Sequence, residues 1–347
     1  MLKTLNRPPV FWLLLIVALA GCACQPPEAA SRPSDPALSV IDAFDPVVYR
    51  ADTATAKADR VIIVVIDGVR YSEGFGDTTQ ANYQHIIRDL APQGTVCTNF
   101  RNNGITHTNP GHATLLTGHY ERISNNGNES PAHPSVLQIW RMVNDAPDTA
   151  SWLVAGKGKL SAVTNTSDPA WHDVFRPRRD CGRNGRDAGS RSDSETWAAL
   201  RGILDRHHPQ LVMVNLAKPD GAAHRGDWRG YLAAIREADR IVWELWQHLQ
   251  TDTFYHGRTA LFITGDHGRH DNGRRGGFAE HGDNCEGCRR LSLVALGPDF
   301  PAGTRSSTAY EMIDFPVTIA HMLGLRLPDS RGKVMTELFG QFVLWPE

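Results

Sequence analysis

Arg60-Val61-Ile62-Ile63-Val64-Val65-Ile66-Asp67-Gly68 is the stretch that decides the fold of this chain. Val61–Ile66 are six consecutive β-branched residues with no polar position among them. That composition belongs to a strand buried on both faces, the kind found in parallel sheets covered by helices. The run stops at an acid and a glycine, so a carboxylate is delivered where the strand ends. Outward from it, Trp152–Ala155, Leu211–Leu216, Thr259–Thr264 and Leu291–Leu296 are further buried-strand candidates. Asn82–Leu90 and Ser135–Val143 read as helices. Trp228, Tyr231, Leu232, Ile235, Val242, Leu245, Trp246 and Leu249 recur at three- and four-residue steps, marking the longest amphipathic helix. The alternation predicts an α/β domain with a central, mostly parallel sheet flanked by helices. Arg176–Arg191 is polar, basic and contains glycine, and is expected to be a mobile surface excursion.

The 347 residues carry 36 Lys and Arg against 38 Asp and Glu, a formal net charge of −2. A balance this close to neutral excludes a nucleic-acid binder working through a general basic field. Histidine is abundant, 15 residues, which directs attention to metal. Residues 1–21 have the form of an export leader: Lys3 and Arg7, then an apolar run from Val10 to Ala20, too short to span a bilayer. The run ends in Leu19-Ala20-Gly21-Cys22, which resembles the bacterial lipoprotein cleavage box. That resemblance implies cleavage before Cys22 and a lipid on its thiol, and residues 22–57, rich in Pro, Ala, Ser and Asp, read as a tether to a catalytic domain over 58–347. The expected location is the cell envelope on the periplasmic side, at the outer membrane in a Gram-negative host, with the lipid as the sole membrane attachment.

In open α/β sheets, sites gather beyond the carboxyl ends of the strands. Val61–Ile66 leads into Asp67, Leu211–Leu216 leads toward Asp220 and His224, and the strand ending at Thr264 leads to Asp266-His267. His281 follows a Gly-rich loop. Asp and His together suit zinc and similar divalent ions. Each piece alone has a plainer reading. An acid after a strand is a common turn former, and an Asp–His pair four apart is common on exposed helices. Thr108, before Asn109-Pro110-Gly111-His112, sits at a helix N-terminus. There it is either a capping hydroxyl or the edge of an anion site.

Taken in order, Asp, Thr-x-Pro-x-His, Asp-x-x-x-His, Asp-His-Gly and His-Gly resemble the alkaline phosphatase superfamily. The branch is that of the nucleotide pyrophosphatase/phosphodiesterases and the Thr-nucleophile bacterial phosphomonoesterases, and the likeness runs from Arg60 to Leu325. It implies two Zn2+ ions, other divalent metals being admissible. One would be held by Asp220, His224 and His281. The other would be held by Asp67, Asp266, His267 and the oxygen of Thr108. Thr108 would be the nucleophile, passing through a phospho-threonine intermediate on a small-molecule phosphate ester.

The branch-specific positions divide. The phosphodiesterases read Thr-Phe-Pro-Asn-His with the Asn as oxyanion donor, whereas this chain has Gly111 there. Asn126, in a segment like the Gly-Ile-x-x-Asn of the monoesterases, is the substitute donor expected. Lys157 and Lys159 bracket one glycine in a chain with few lysines, where the monoesterases carry a Lys-x-Arg pair against a dianionic phosphoryl group; Lys159 in place of the Arg would act as a point charge. The expected activity is therefore an exported zinc-dependent phosphomonoesterase. A phosphodiesterase or nucleotide pyrophosphatase is the alternative, and a non-catalytic binding lipoprotein a third reading. Thr108 in place of a convertible Cys or Ser argues against a sulfatase. Cys285 and Cys288 form a C-x-x-C with no second Cys pair, which argues against a zinc knuckle. In an exported chain a disulfide stiffening the loop behind His281 is expected.

Overall fold

A computed structural model describes residues 45–51 and 56–340. The leader and Cys22 lie outside the described residues. The run of β-branched residues forms β1, Arg60–Ile66, with every side chain buried. The other strands are β2 Thr95–Arg101, β3 Ser151–Ala155, β4 Arg178–Cys181, β5 Leu211–Leu216, β6 Thr259–Thr264, β7 Arg290–Leu296, β8 Thr304–Ser306 and β9 Tyr310–Glu311. They make one sheet in the order β4-β3-β5-β1-β6-β7-β2-β8, with β9 also on β2. β7 alone runs antiparallel to its neighbours β6 and β2, and every other pairing is parallel. The mixed, mostly parallel sheet read from the sequence is therefore present.

The register positions the chemistry. Ile66 lies opposite Leu216, Val65 opposite Thr264, and Ala155 opposite Asn215. Four adjacent parallel strands thus end level, and the residues following each of them emerge at one edge. The helix Trp228–Thr251 covers one face, burying Tyr231, Ile235, Val242, Leu245 and Leu249 among the side chains of β1 and β5. The helix Val136–Val143 starts at a capping box in which Ser135 and Gln138 exchange side-chain bonds to each other's backbone.

Three expectations are corrected. Arg176–Arg191 is not wholly an excursion: β4 lies within it, parallel to β3, and Cys181 is fully buried. Its Gly189 carbonyl accepts from the N–H of Gly158 at 2.8 Å, so the segment lies over the Lys157–Lys159 turn. The composition was polar because an edge strand needs few apolar residues. The segment from Asp45 is held by the domain, with Ala51 donating to the Gly324 carbonyl and Arg326 to that of Tyr49. Cys285 and Cys288 are free thiols rather than a disulfide.

Candidate active site

Asp67 leaves β1 fully buried. Its Oδ2 accepts from Asn215 Nδ2 at 2.9 Å, while Oδ1 has no hydrogen-bond partner. The turn needs Gly68: φ is +66°, and a Cβ there would lie 2.7 Å from Arg269 Nη1 and 2.8 Å from Asp220 Oδ1. Beyond β6, Asp266 and His267 are also fully buried. Asp266 Oδ1 accepts the backbone N–H groups of Gly68 and His267, but Oδ2 lacks a hydrogen bond. His267 Nδ1 lies 2.9 Å from the Gly268 carbonyl, which can only accept, so Nδ1 carries the proton and Nε2 a bare lone pair. That Nε2, also without a hydrogen bond, is 3.6 Å from Asp67 Oδ1 and 3.3 Å from Asp266 Oδ2. Two carboxylate oxygens and an imidazole lone pair thus converge without a hydrogen bond among them, and His112 Nδ1, 3.4 Å from Asp266 Oδ2, is committed to the Thr108 carbonyl. Buried acceptors left this way are costly unless a cation joins them, and the donor set fits a divalent metal. Burial lowers the His267 pKa to about 4, which keeps the ring neutral and able to ligate.

A second group lies beside the first. The helix Lys218–His224 carries Asp220 and His224 one turn apart, and both face His281. His224 Nε2 is 3.3 Å and His281 Nε2 3.5 Å from Asp220 Oδ1, and the two ring nitrogens are 3.0 Å apart. His281 Nδ1 is held by the Thr106 carbonyl at 2.8 Å, again turning Nε2 inward. Burial takes its pKa down to about 2. Asp220, Asp67, Asp266, His267 and His281 thus form two overlapping groups with metal-ligand spacing, sharing His267. Burial opposes ionisation of Asp220, yet the Lys157 ammonium and neighbouring groups hold it well below the usual carboxylate range.

Thr108 is the first residue of the helix Thr108–Thr117 and is buried, with its Oγ1 3.1 Å from Lys157 Nζ. Lys157 Nζ also lies 2.9 Å from Asp67 Oδ2 and 2.6 Å from Asp220 Oδ2. Burial alone would lower this ammonium's pKa, but Asp67, Asp220 and Asp266 raise it above the ordinary value. Lys159 does not reach the carboxylates. Its Nζ donates to the backbone and side-chain oxygens of Asn125, at 3.1 and 2.8 Å. Asn126, the donor expected, is exposed, and its Oδ1 accepts from Ser124 Oγ and the Asn128 N–H within its own turn. Its neighbour Asn125 faces the helix that Thr108 opens, accepting from the Asn109 N–H at 3.0 Å. Gly111 has a steric cause: a Cβ there would meet the Asp266 carbonyl at 2.8 Å, leaving no room for the family's Asn.

Sequence reasoning passed over four further residues. Asn215, the fifth residue of β5, ties Asp67 Oδ2 to His112 Nε2, at 2.9 and 3.1 Å. His112 Nδ1 is 2.9 Å from the Thr108 carbonyl. An Asn inside an otherwise apolar strand was the available signal. Arg269 is fully buried, pairs with Asp220 Oδ1, and donates to the carbonyls of Phe278 and Ala279. It therefore positions both Asp220 and the loop leading to His281. Asn125 differs from the residue chosen by one position.

Fold and site together define a member of the alkaline phosphatase superfamily, a class of phosphoester hydrolases. The chain belongs to the type I phosphodiesterase/nucleotide pyrophosphatase family, whose model matches residues 61–276. A phosphonate monoester hydrolase from Silicibacter pomeroyi shares the fold at a TM-score of 0.58 and 14% identity, over 83% of this chain and 78% of that one. Murine ectonucleotide pyrophosphatase/phosphodiesterase 5 does so at a TM-score of 0.57 and 16% identity, over 79% and 97%. A Vibrio parahaemolyticus protein of the alkaline phosphatase superfamily aligns at a TM-score of 0.59 and 11% identity, over 88% and 79%. In sequence, a phosphopentomutase from Pseudothermotoga lettingae is 36% identical over 67 residues, which is 19% of this chain and 16% of that protein.

Proposed function

We propose that this protein is a zinc-dependent phosphomonoesterase with Thr108 as nucleophile. The observation that supports it is the Lys157 ammonium 3.1 Å from Thr108 Oγ1, with a second lysine two residues on. A cation beside the nucleophile favours a doubly charged phosphoryl group over the single charge of a diester. Divalent ions on the two groups, when bound, would ease loss of the Thr108 proton and neutralise charge on the phosphoryl oxygens. Thr108 Oγ then forms a bond to phosphorus as the bond to the ester oxygen breaks, and that oxygen leaves with a proton from water. Water cleaves the phospho-threonine, releasing phosphate and restoring the hydroxyl. In this reading Lys157 would meet the non-bridging oxygens, and Asn125, held beside the start of the Thr108 helix through its Oδ1, would offer its amide N–H to them.

The family match favours a second reading, a phosphodiesterase, because its description names diesters and pyrophosphates. The two are separated by kcat/KM of the zinc-loaded protein on an aryl phosphate monoester and the matching diester. A large monoester excess supports the first reading, and a diester excess replaces it with the second. Loss of turnover in Thr108→Ala on either substrate ties the activity to this site. We further propose export by residues 1–21, lipid attachment at Cys22 and a membrane-tethered catalytic domain on the periplasmic side. Incorporation of a labelled fatty acid that Cys22→Ala abolishes is the test of that anchor.

A further inference from the structure

We propose that His270, Asp283, Cys285 and Cys288 form a third metal site, a structural zinc site that clamps the loop carrying His281. One ligand atom from each of the four lies within 4.8 Å of every other. Both thiols are buried and unlinked. The histidine is set as a ligand would be. His270 Nδ1 is 2.8 Å from the Arg275 carbonyl, which can only accept, so this nitrogen holds the proton. Nε2 then presents a lone pair, is buried without a hydrogen bond, and lies 3.5 Å from Asp283 Oδ1. Asp283 is oriented from behind, its Oδ2 bound by Arg274 at 3.0 Å and its Oδ1 by the Cys285 N–H at 2.8 Å.

The backbone brings the four together. Arg269 donates to the Gly287 carbonyl and Gly268 to that of Cys288, at 2.9 and 2.8 Å. The approach requires glycine on both sides. A Cβ on Gly268 would be 2.0 Å from Gly287 O, and one on Gly287 2.3 Å from Arg269 O. The missing partner of the C-x-x-C is therefore a His and an Asp, not a second cysteine pair. Two sulfurs, a nitrogen and an oxygen are a donor set for tetrahedral zinc. Four protein ligands leave no open position, so the role is structural. The two thiol protons are released as the ion enters. His270 is three residues past His267, and Asp283 two past His281, so the ion would join both strands of chain that supply the catalytic groups.

The test is cobalt substitution of the full-length reduced protein. Cobalt on thiolates gives an intense near-ultraviolet charge-transfer band that cobalt on carboxylate and imidazole does not. The expected result is that band in the wild type, its loss in Cys285→Ser/Cys288→Ser with one fewer metal ion per chain, and weaker cobalt binding in His270→Ala. Thr108→Ala keeps the band whatever its turnover, so the outcome is independent of the assigned activity. Absence of the band from the reduced wild type overturns the site. So does a purified wild type lighter by two hydrogens, with Cys285 and Cys288 joined in one disulfide-linked peptide and no metal lost on their replacement.

Discussion

His224 and His281 point their Nε2 atoms at each other across 3.0 Å, from a helix on one side and a loop on the other. His281 Nε2 has no proton to give, because Nδ1 is committed to the Thr106 carbonyl. His224 Nε2 can donate to that Nε2, and Asp220 Oδ1 lies within 3.5 Å of both, so the same three groups would also fit a cation. His281→Ala is therefore expected to remove one metal ion per chain while the Asp67–Asp266–His267 group stays occupied. Metal content after dialysis measures it, and an unchanged count would reassign His281.

The two asparagines after Ser124 differ in setting: Asn125 accepts from the Asn109 N–H and Lys159, and Asn126 from within its own turn, so Asn125 is the one proposed as donor. Asn125→Ala is expected to lower kcat roughly a hundredfold, as loss of one oxyanion donor does, with the metal count unchanged. Asn126→Ala, whose parent side chain bonds only within its own turn, is expected to stay within about twofold by the same comparison. The reverse order in kcat would restore the assignment read from the sequence.

The neighbouring one-position error shows what the sequence could and could not carry. Asp67, Asp266 and His267 were legible because each follows a strand whose apolar pattern fixes where it ends, Asp220 and His224 because they stand four apart just after β5, and His281 only through the order of the motifs. Register then gathered them, since parallel strands ending level need no further information. Asn125 lies in a turn and Lys159 at the start of the short 3-10 helix Gly158–Thr164, where a shift of one residue re-aims a side chain and no periodicity reports it. β4 was hidden for a related reason: an edge strand with exposed Arg178 and Arg179 has no apolar run. The packing role of Arg269 was unreadable because its partners, Asp220 and the loop carbonyls, are distant or carry no side-chain signal.

Lys157 Nζ lies within 3.1 Å of Thr108 Oγ1, Asp67 Oδ2 and Asp220 Oδ2, so its removal tests the proposed substrate charge directly. Lys157→Ala is expected to lower kcat/KM for the monoester by about 2 kcal/mol, roughly thirtyfold, the value of one hydrogen bond to a charged group. The loss on the diester should be smaller, because that phosphoryl group presents one charge less. Equal losses on the two substrates, measured at saturating zinc, would mean that the lysine acts only through Asp67 and Asp220.

Asp193 supplies a prediction away from the metals. It opens the helix Asp193–His207 fully buried, and its Oδ1 accepts the N–H groups of Ala217 and Lys218 at 2.7 and 3.1 Å, just before the helix that bears Asp220. Oδ2 has no partner. Burial outweighs these bonds and raises the carboxyl pKa from 3.8 to about 7. The folded chain therefore binds a proton here that the unfolded chain has lost. The stability this group contributes is complete below about pH 3.8 and is lost as pH rises through about 7. Asp193→Asn keeps the accepting oxygen and removes the charge, so it should raise Tm by a few degrees at pH 8. The gap between variant and wild type should narrow as pH falls to 5. Paired thermal melts at saturating zinc measure it, and a gap that does not change with pH would show that Asp193 is ionised in the folded protein throughout.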